Sequence, residues 1–162
     1  MFFTTCKDGD VSEVKTETQA QIDARTIYQK DIEKLKYTDF RLSQESQKAV
    51  TDWQKFQELN VQLDLLKTGD LTFFNGDRML LKTFLTELRA EMPAVLRTNE
   101  ILARITAFET KAQKLNSLLT INNISKDEQL QSIKELLITL SNVNLQINKK
   151  FEFDKNNIFK PD

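Results

Sequence analysis

Few residue types in this chain could carry a reaction, and the carboxylates come first. Glu87 and Glu91 stand one helical turn apart, a spacing at which two carboxylates can share a proton or a cation. They fall on the flank of the apolar series Leu81, Phe84 and Leu88, so a solvated helix face is the plainer reading. Asp70 and Asp77 flank a short loop with oxygen atoms to offer a calcium ion. The alternating acidic positions and late Glu of a calcium loop are missing around them. Asp127 and Glu128 belong to a helix start, where negative charge suits the dipole. Histidine is absent, which removes Ser-His-Asp and Cys-His nucleophile pairs, a Glu-x-x-His di-iron bundle and a histidine pH switch. The single cysteine, Cys6, allows no intramolecular disulfide and no thiolate zinc site, and it has no electropositive setting to make it a redox thiol. Three glycines are too few for a phosphate-cradling loop. The sequence therefore predicts no catalytic residue, no metal ligand and no cofactor.

The elements that carry these residues follow from where the helix breakers sit. Gly69, Gly76 and Pro93 fall between residues 69 and 93, while residues 10–68 contain only Gly-free, Pro-free sequence and so do residues 94–160. Strand-rich chains need frequent turn residues, so long helices joined by short loops are expected. A length of 162 residues, 40% hydrophobic and 29% charged, suits one helical domain with a narrow apolar stripe per helix. With 23 basic against 24 acidic residues and no basic block, nucleic acid is not expected as a partner.

The apolar spacing is helical throughout. Ile22, Tyr28, Ile32, Leu35 and Leu42 lead into Ala49/Val50, Trp53, Phe56, Leu59, Leu63 and Leu66, with Gly69 as the stop. Leu80/Leu81, Phe84/Leu85, Leu88 and Met92 make the next stripe, capped by Asn75 or Asp77 and ended by Pro93. Leu102, Ile105, Phe108, Ala112, Leu115 and Leu118/Leu119 follow, capped by Thr98 or Asn99. A capping box of Ser125 with Glu128 then opens a stripe from Leu130 to Ile147, closed by Lys149 and Lys150. A single straight helix over residues 17–67 would reach roughly 75 Å at 1.5 Å per residue, far longer than the others. The run Tyr37-Thr38-Asp39-Phe40-Arg41-Leu42-Ser43 is the weakest helical stretch, so a break is expected there, with Ser43 capping a helix from Gln44. The predicted fold is an all-α, up-down bundle of about four helices with an additional N-terminal helical arm. Residues 1–5 read as a signal-peptide remnant, 6–21 as a flexible tether, 22–150 as the bundle with its arm, and 151–162 as a C-terminal tail.

Candidate partner contacts come from apolar residues that a bundle does not obviously consume. Leu71, Phe73 and Phe74 share one short loop, where they either plug the end of the bundle or form an exposed patch. Tyr28, Ile32 and Leu35 give the arm a stripe that either docks a partner or folds onto the bundle. Trp53, beside Phe56 on the apolar face, reads as core.

The N-terminus carries an address. Met1-Phe2-Phe3-Thr4-Thr5-Cys6 resembles the end of a bacterial lipoprotein signal peptide, in which the Cys becomes the lipidated first residue of the mature chain. On this reading the true start lies upstream of Met1, since a signal peptide needs a basic segment and an apolar run. Residues 7–21 then supply the polar spacer that a diacylated Cys6 requires. Lys7, Asp8 and Asp10 after Cys6 are similar to the export signal of Bacteroidetes lipoproteins, with Gly9 interrupting the acidic run, so either leaflet of the outer membrane stays open. The Asn/Lys-rich stretches at 147–150 and 154–158, and the run from Trp53 to Phe74, resemble small helical proteins of flavobacterial type. That resemblance brings no function with it. Taken together, the lipidation-like N-terminus, the helical stripes and the lack of catalytic residues lead to the expectation of a non-catalytic lipoprotein anchored in the cell envelope through Cys6, binding or scaffolding another envelope protein. The alternative is a soluble, cytoplasmic helical adaptor or chaperone-like protein that works through its N-terminal helix. The identity of any small-molecule ligand is left open.

Overall fold

The computed structural model describes residues 16–158. In chain order the α-helices are α1 (Gln19–Arg25), α2 (Gln29–Ile32), α3 (Gln44–Val50), α4 (Gln54–Lys67), α5 (Thr72–Asn75), α6 (Arg78–Ala90), α7 (Asn99–Thr120) and α8 (Lys126–Ile158). A 3-10 turn at Ala94–Leu96 links α6 to α7, and no strand occurs among the described residues.

The four long helices alternate in direction. Lys55 at the start of α4 meets Glu87 near the end of α6 (3.1 Å). Arg89 reaches Glu109 in the middle of α7 (2.7 Å), while Asn116, later in α7, reaches Gly76 just before α6 (2.9 Å). Gln129 of α8 donates to the Leu118 carbonyl of α7 (3.3 Å) across a five-residue turn at 121–125. The result is the expected up-down bundle. Its core is one apolar column from each helix: Phe56, Leu59, Leu63 and Leu66; Leu81, Leu85 and Leu88; Ile101, Ile105, Phe108, Ala112 and Leu115; and Ile133, Leu136, Leu137, Val143 and Ile147. The three- and four-residue steps within the first three columns, and within the fourth once half-buried Leu140 is counted, keep each on one helix face.

The caps fix where these helices start and stop. Asp77 Oδ1 accepts from the Met79 and Leu80 N–H groups (2.7 and 3.1 Å), and Thr98 Oγ1 accepts from Ile101 N–H (3.3 Å). Gly69, at φ +94°, closes α4 with bonds from its own N–H to Leu66 O (2.9 Å) and from Asp70 N–H to Leu65 O (3.1 Å). A Cβ at Gly69 would stand 3.1 Å from the Gln29 backbone nitrogen, so this turn also lets the arm lie close. The end of α6 is covered by other residues' side chains. Trp53 Nε1 donates to Leu88 O (2.8 Å), and Arg97 Nη2 donates to Ala90 O (2.7 Å), supplying partners to carbonyls the helix itself cannot pair.

The hairpin of α7 and α8 is also tied electrostatically. Glu135 accepts from Lys111 (2.8 Å) and Lys114 (2.9 Å), and these two ammonium groups hold its pKa down at about 2, against an ordinary 4.5. Because the folded pKa is depressed, the stabilisation is complete above the ordinary value and is lost as pH falls from 4.5 through about 2. Both lysines are more than a third exposed, so screening leaves about 1 kcal/mol. Glu135→Gln should therefore cost about that much at pH 7. In thermal melts the gap between variant and parent should close between pH 4.5 and about 2; a gap unchanged across that range would show that the lysines do not act through this carboxylate.

Several boundaries differ from the sequence reading. The break at 37–43 is present and Ser43 caps α3, its Oγ accepting from Ser46 N–H (3.2 Å). A second break at 51–53, not expected, separates α3 from α4 and turns Trp53 into the core, stacked on Phe56 at 4.7 Å. The arm is two short helices, because Ile27 leaves the helix to enter the core. Helix begins at Gln19, inside the stretch 6–21 read as tether, because Thr18 and Gln21 form a complete capping box. Only one half of the box at Ser125 forms, with Glu128 N–H donating to Ser125 Oγ (3.2 Å). Lys149 and Lys150 do not close α8, which runs on to Ile158; Lys150 pairs one turn ahead with Asp154, and Phe151 is half-buried. The supposed tail is thus helical as far as Ile158.

Candidate interaction surface

The loop carrying Leu71, Phe73 and Phe74 splits its apolar residues between two tasks. Phe74 is fully buried (0% exposed) and plugs the end of the bundle. Its carbonyl and that of Gly76 accept from Asn116 Nδ2 (2.8 and 2.9 Å), so a buried amide of α7 fixes the loop. Leu71 is half-buried. Phe73 points sideways, edge-on to Phe74 (ring centroids 4.9 Å) and to Phe84 of α6 (5.0 Å). Edge-to-face pairs of this kind are favourable for the ring quadrupoles.

Beside these rings α6 carries more apolar surface than the core takes. Leu81, Leu85 and Leu88 face inward, while Leu80 and Phe84, four residues apart, form a second column directed to the surface. Leu80 is 72% exposed and its neighbour Met79 is 65% exposed. Phe73, Leu80, Leu81 and Phe84 line a groove of about 410 Å³, rimmed by Lys55, Asp77 and Glu87. Lys55 lies over the Phe84 ring (5.2 Å) and bonds Glu58 (2.9 Å) and Glu87 (3.1 Å). Those two carboxylates, Glu58 first, hold the ammonium above its ordinary pKa. The surface is apolar at its centre and mixed in charge at its rim, the pattern of a contact patch.

The other residues singled out by sequence are placed as follows. Ile32 is 5% exposed and belongs to the core, which removes it from a free docking stripe; Leu35 packs against that core, and Tyr28 is half-buried, its OH donating to Asp23 (2.8 Å). Asp31, on the same short helix, bonds Lys126 at the start of α8 (2.7 Å). The arm is therefore folded onto the bundle. Glu87 is held by Lys55, and Glu91 accepts from the Lys55 backbone N–H (3.1 Å) at the start of α4, so both carboxylates have structural partners. Asp70 accepts from Thr72 N–H (2.9 Å) within its own turn. Among the described residues no group of three or more His, Cys, Asp or Glu is placed to hold a metal ion. No helix among them is long and apolar enough to cross a membrane. Cys6, Lys7, Asp8 and Asp10 lie outside the described residues.

The exposure of Leu80 and Met79 was not anticipated, although the doublets Leu80/Leu81 and Phe84/Leu85 signalled it. A helix with two adjacent apolar columns has one more than a single neighbour covers. No family model, curated protein or solved structure matches the chain.

Proposed function

We propose that this chain is a non-catalytic helical binding module, anchored in the cell envelope by a lipid on Cys6, that docks another envelope protein on the surface of Phe73, Leu80 and Phe84. The observation that carries the docking reading is the second apolar column of α6, with Leu80 mostly in solvent beside a half-buried aromatic pair. Phe84 packs partly against the core, but Leu80 leaves apolar area in solvent, which suits contact with a partner. The Tyr28–Leu35 stripe is spent on the bundle, which favours this face over the arm as the docking element. The carboxylates considered for catalysis are engaged in caps and ion pairs, in keeping with a binding role.

Two full-length variants test the two parts separately. Leu80→Glu should leave the melting temperature within about 2 °C, since the side chain is largely in solvent, and reduce recovery of an envelope partner by about fivefold or more. Equal recovery with both forms removes this face from the proposal. Cys6→Ser should shift the protein from the membrane to the soluble fraction; an unchanged distribution removes the anchor.

A further inference from the structure

The segment between the arm and α3 is held in an unusual way. Residues 38–43 run along α8, and one row of its side chains makes five bonds to their main chain. Ser141 Oγ accepts from Phe40 N–H (2.7 Å) and donates to Thr38 O (2.6 Å). Asn144 Nδ2 donates to Phe40 O (3.0 Å). Asn148 donates through Nδ2 to Arg41 O (2.8 Å) and accepts through Oδ1 from Ser43 N–H (2.8 Å). Positions 141, 144 and 148 lie on one helix face, and every one of these bonds goes to main chain.

Packing adds little to this. Thr38, Asp39, Phe40 and Arg41 are exposed, and Leu42 is only half-buried. A groove of about 790 Å³ separates the segment from Gln57, Asn60 and Asp64 of α4. A smaller one of about 220 Å³ lies under Leu35 and Tyr37 against Leu137. One bond is also missing: Asn144 Oδ1 is buried in the closed arrangement without a hydrogen-bond partner. A desolvated, unpaired acceptor opposes the closed form, since opening returns it to water.

We propose that residues 38–43 form a latch whose release lets the segment from Gln19 to Ser43 lift off the bundle as one unit. Asn148 and Ser141 are its closing bonds, each satisfied in both of its roles. Asn144 is nearly neutral, because its one bond is offset by its one orphaned atom. N-terminal to the latch, the segment is held by Ile27 and Ile32 in the core and by Asp31 on Lys126; within the latch, Asp39 also pairs with Lys67 (3.5 Å). These contacts all lie on one stretch of chain and are made or broken together. The core columns of α4, α6, α7 and α8 do not pass through it.

Hydrogen exchange on the full chain tests this, comparing the parent with Ser141→Ala/Asn148→Ala and with Asn144→Ala. All three changes raise helix propensity, so α8 itself is not weakened. In the double variant, amides of residues 22–43 should lose protection together by tenfold or more, while α7 and α8 stay within twofold of the parent. Asn144→Ala should change residues 22–43 by less than threefold. Loss confined to 38–43 would show that the arm does not follow the segment. Loss spread through α7 and α8 would show that the segment belongs to the single cooperative core. An Asn144→Ala effect equal to that of the double variant would overturn the division of roles.

Discussion

Trp53→Ala should be among the most damaging single changes in this protein, lowering the free energy of unfolding by about 3–5 kcal/mol. The indole has no exposed surface, stacks on Phe56 and sits where α4 begins beside the end of α6. Truncation leaves a void in the core and also strips the Leu88 carbonyl of its donor. Trp53→Phe separates the two effects. It retains a ring against Phe56 but cannot donate, so a loss of about 1–2 kcal/mol is expected from the unpaired carbonyl. Urea unfolding measures both. If Trp53→Phe were as stable as the parent, the indole bond to Leu88 would not matter and α6 would need no help from Trp53 at its end.

Asn116→Asp is the second large effect, and its signature is pH dependence. Asn116 is almost wholly buried, and its amide nitrogen serves two carbonyls, those of Phe74 and Gly76. A carboxylate there would face two acceptors with nothing to donate, a cost of about 3 kcal/mol or more. Burial raises the pKa of the introduced acid above its unfolded value of about 3.9. An acid with a raised folded pKa is destabilising only once the unfolded chain ionises. The penalty relative to the parent should therefore be smallest below pH 4 or so, and should grow as pH rises until the folded pKa is passed. Thermal melts of both proteins from pH 3 to 8 check this. A penalty independent of pH would mean the site is open to water and that the Phe74 loop is not fixed by this amide.

What could be read from the sequence was what is local. The column Ile101, Ile105, Phe108, Ala112 and Leu115 repeats at three- and four-residue steps, so its face was visible without a neighbour. Asp77, Thr98, Ser43 and Gly69 mark their helix ends through bonds to residues within a few positions. The second break, at 51–53, depends on Trp53 finding Leu88 thirty-five positions away, and no periodicity carries that. Lys149 and Lys150 suit a helix end by charge, yet α8 continues because Lys150 gains Asp154 and Lys155 pairs with Glu45. At the candidate surface, Phe73 and Phe74 could be named but not sorted. Which ring plugs the bundle is decided by Asn116, forty-two positions beyond Phe74.

The row of Ser141, Asn144 and Asn148 also sets an order of events in biosynthesis. The bonds it makes to the chain near Phe40 and Arg41 span 101 to 107 positions. At roughly 5–20 residues per second, the N-terminal portion waits roughly 5–20 s on the ribosome before the groups that hold it exist. Through that interval Ile27 and Ile32 have no finished surface to rest on. The segment that carries Ile27 and Ile32 is therefore made well before the groups that secure it, and through that period it is open to whatever binding factor meets it first.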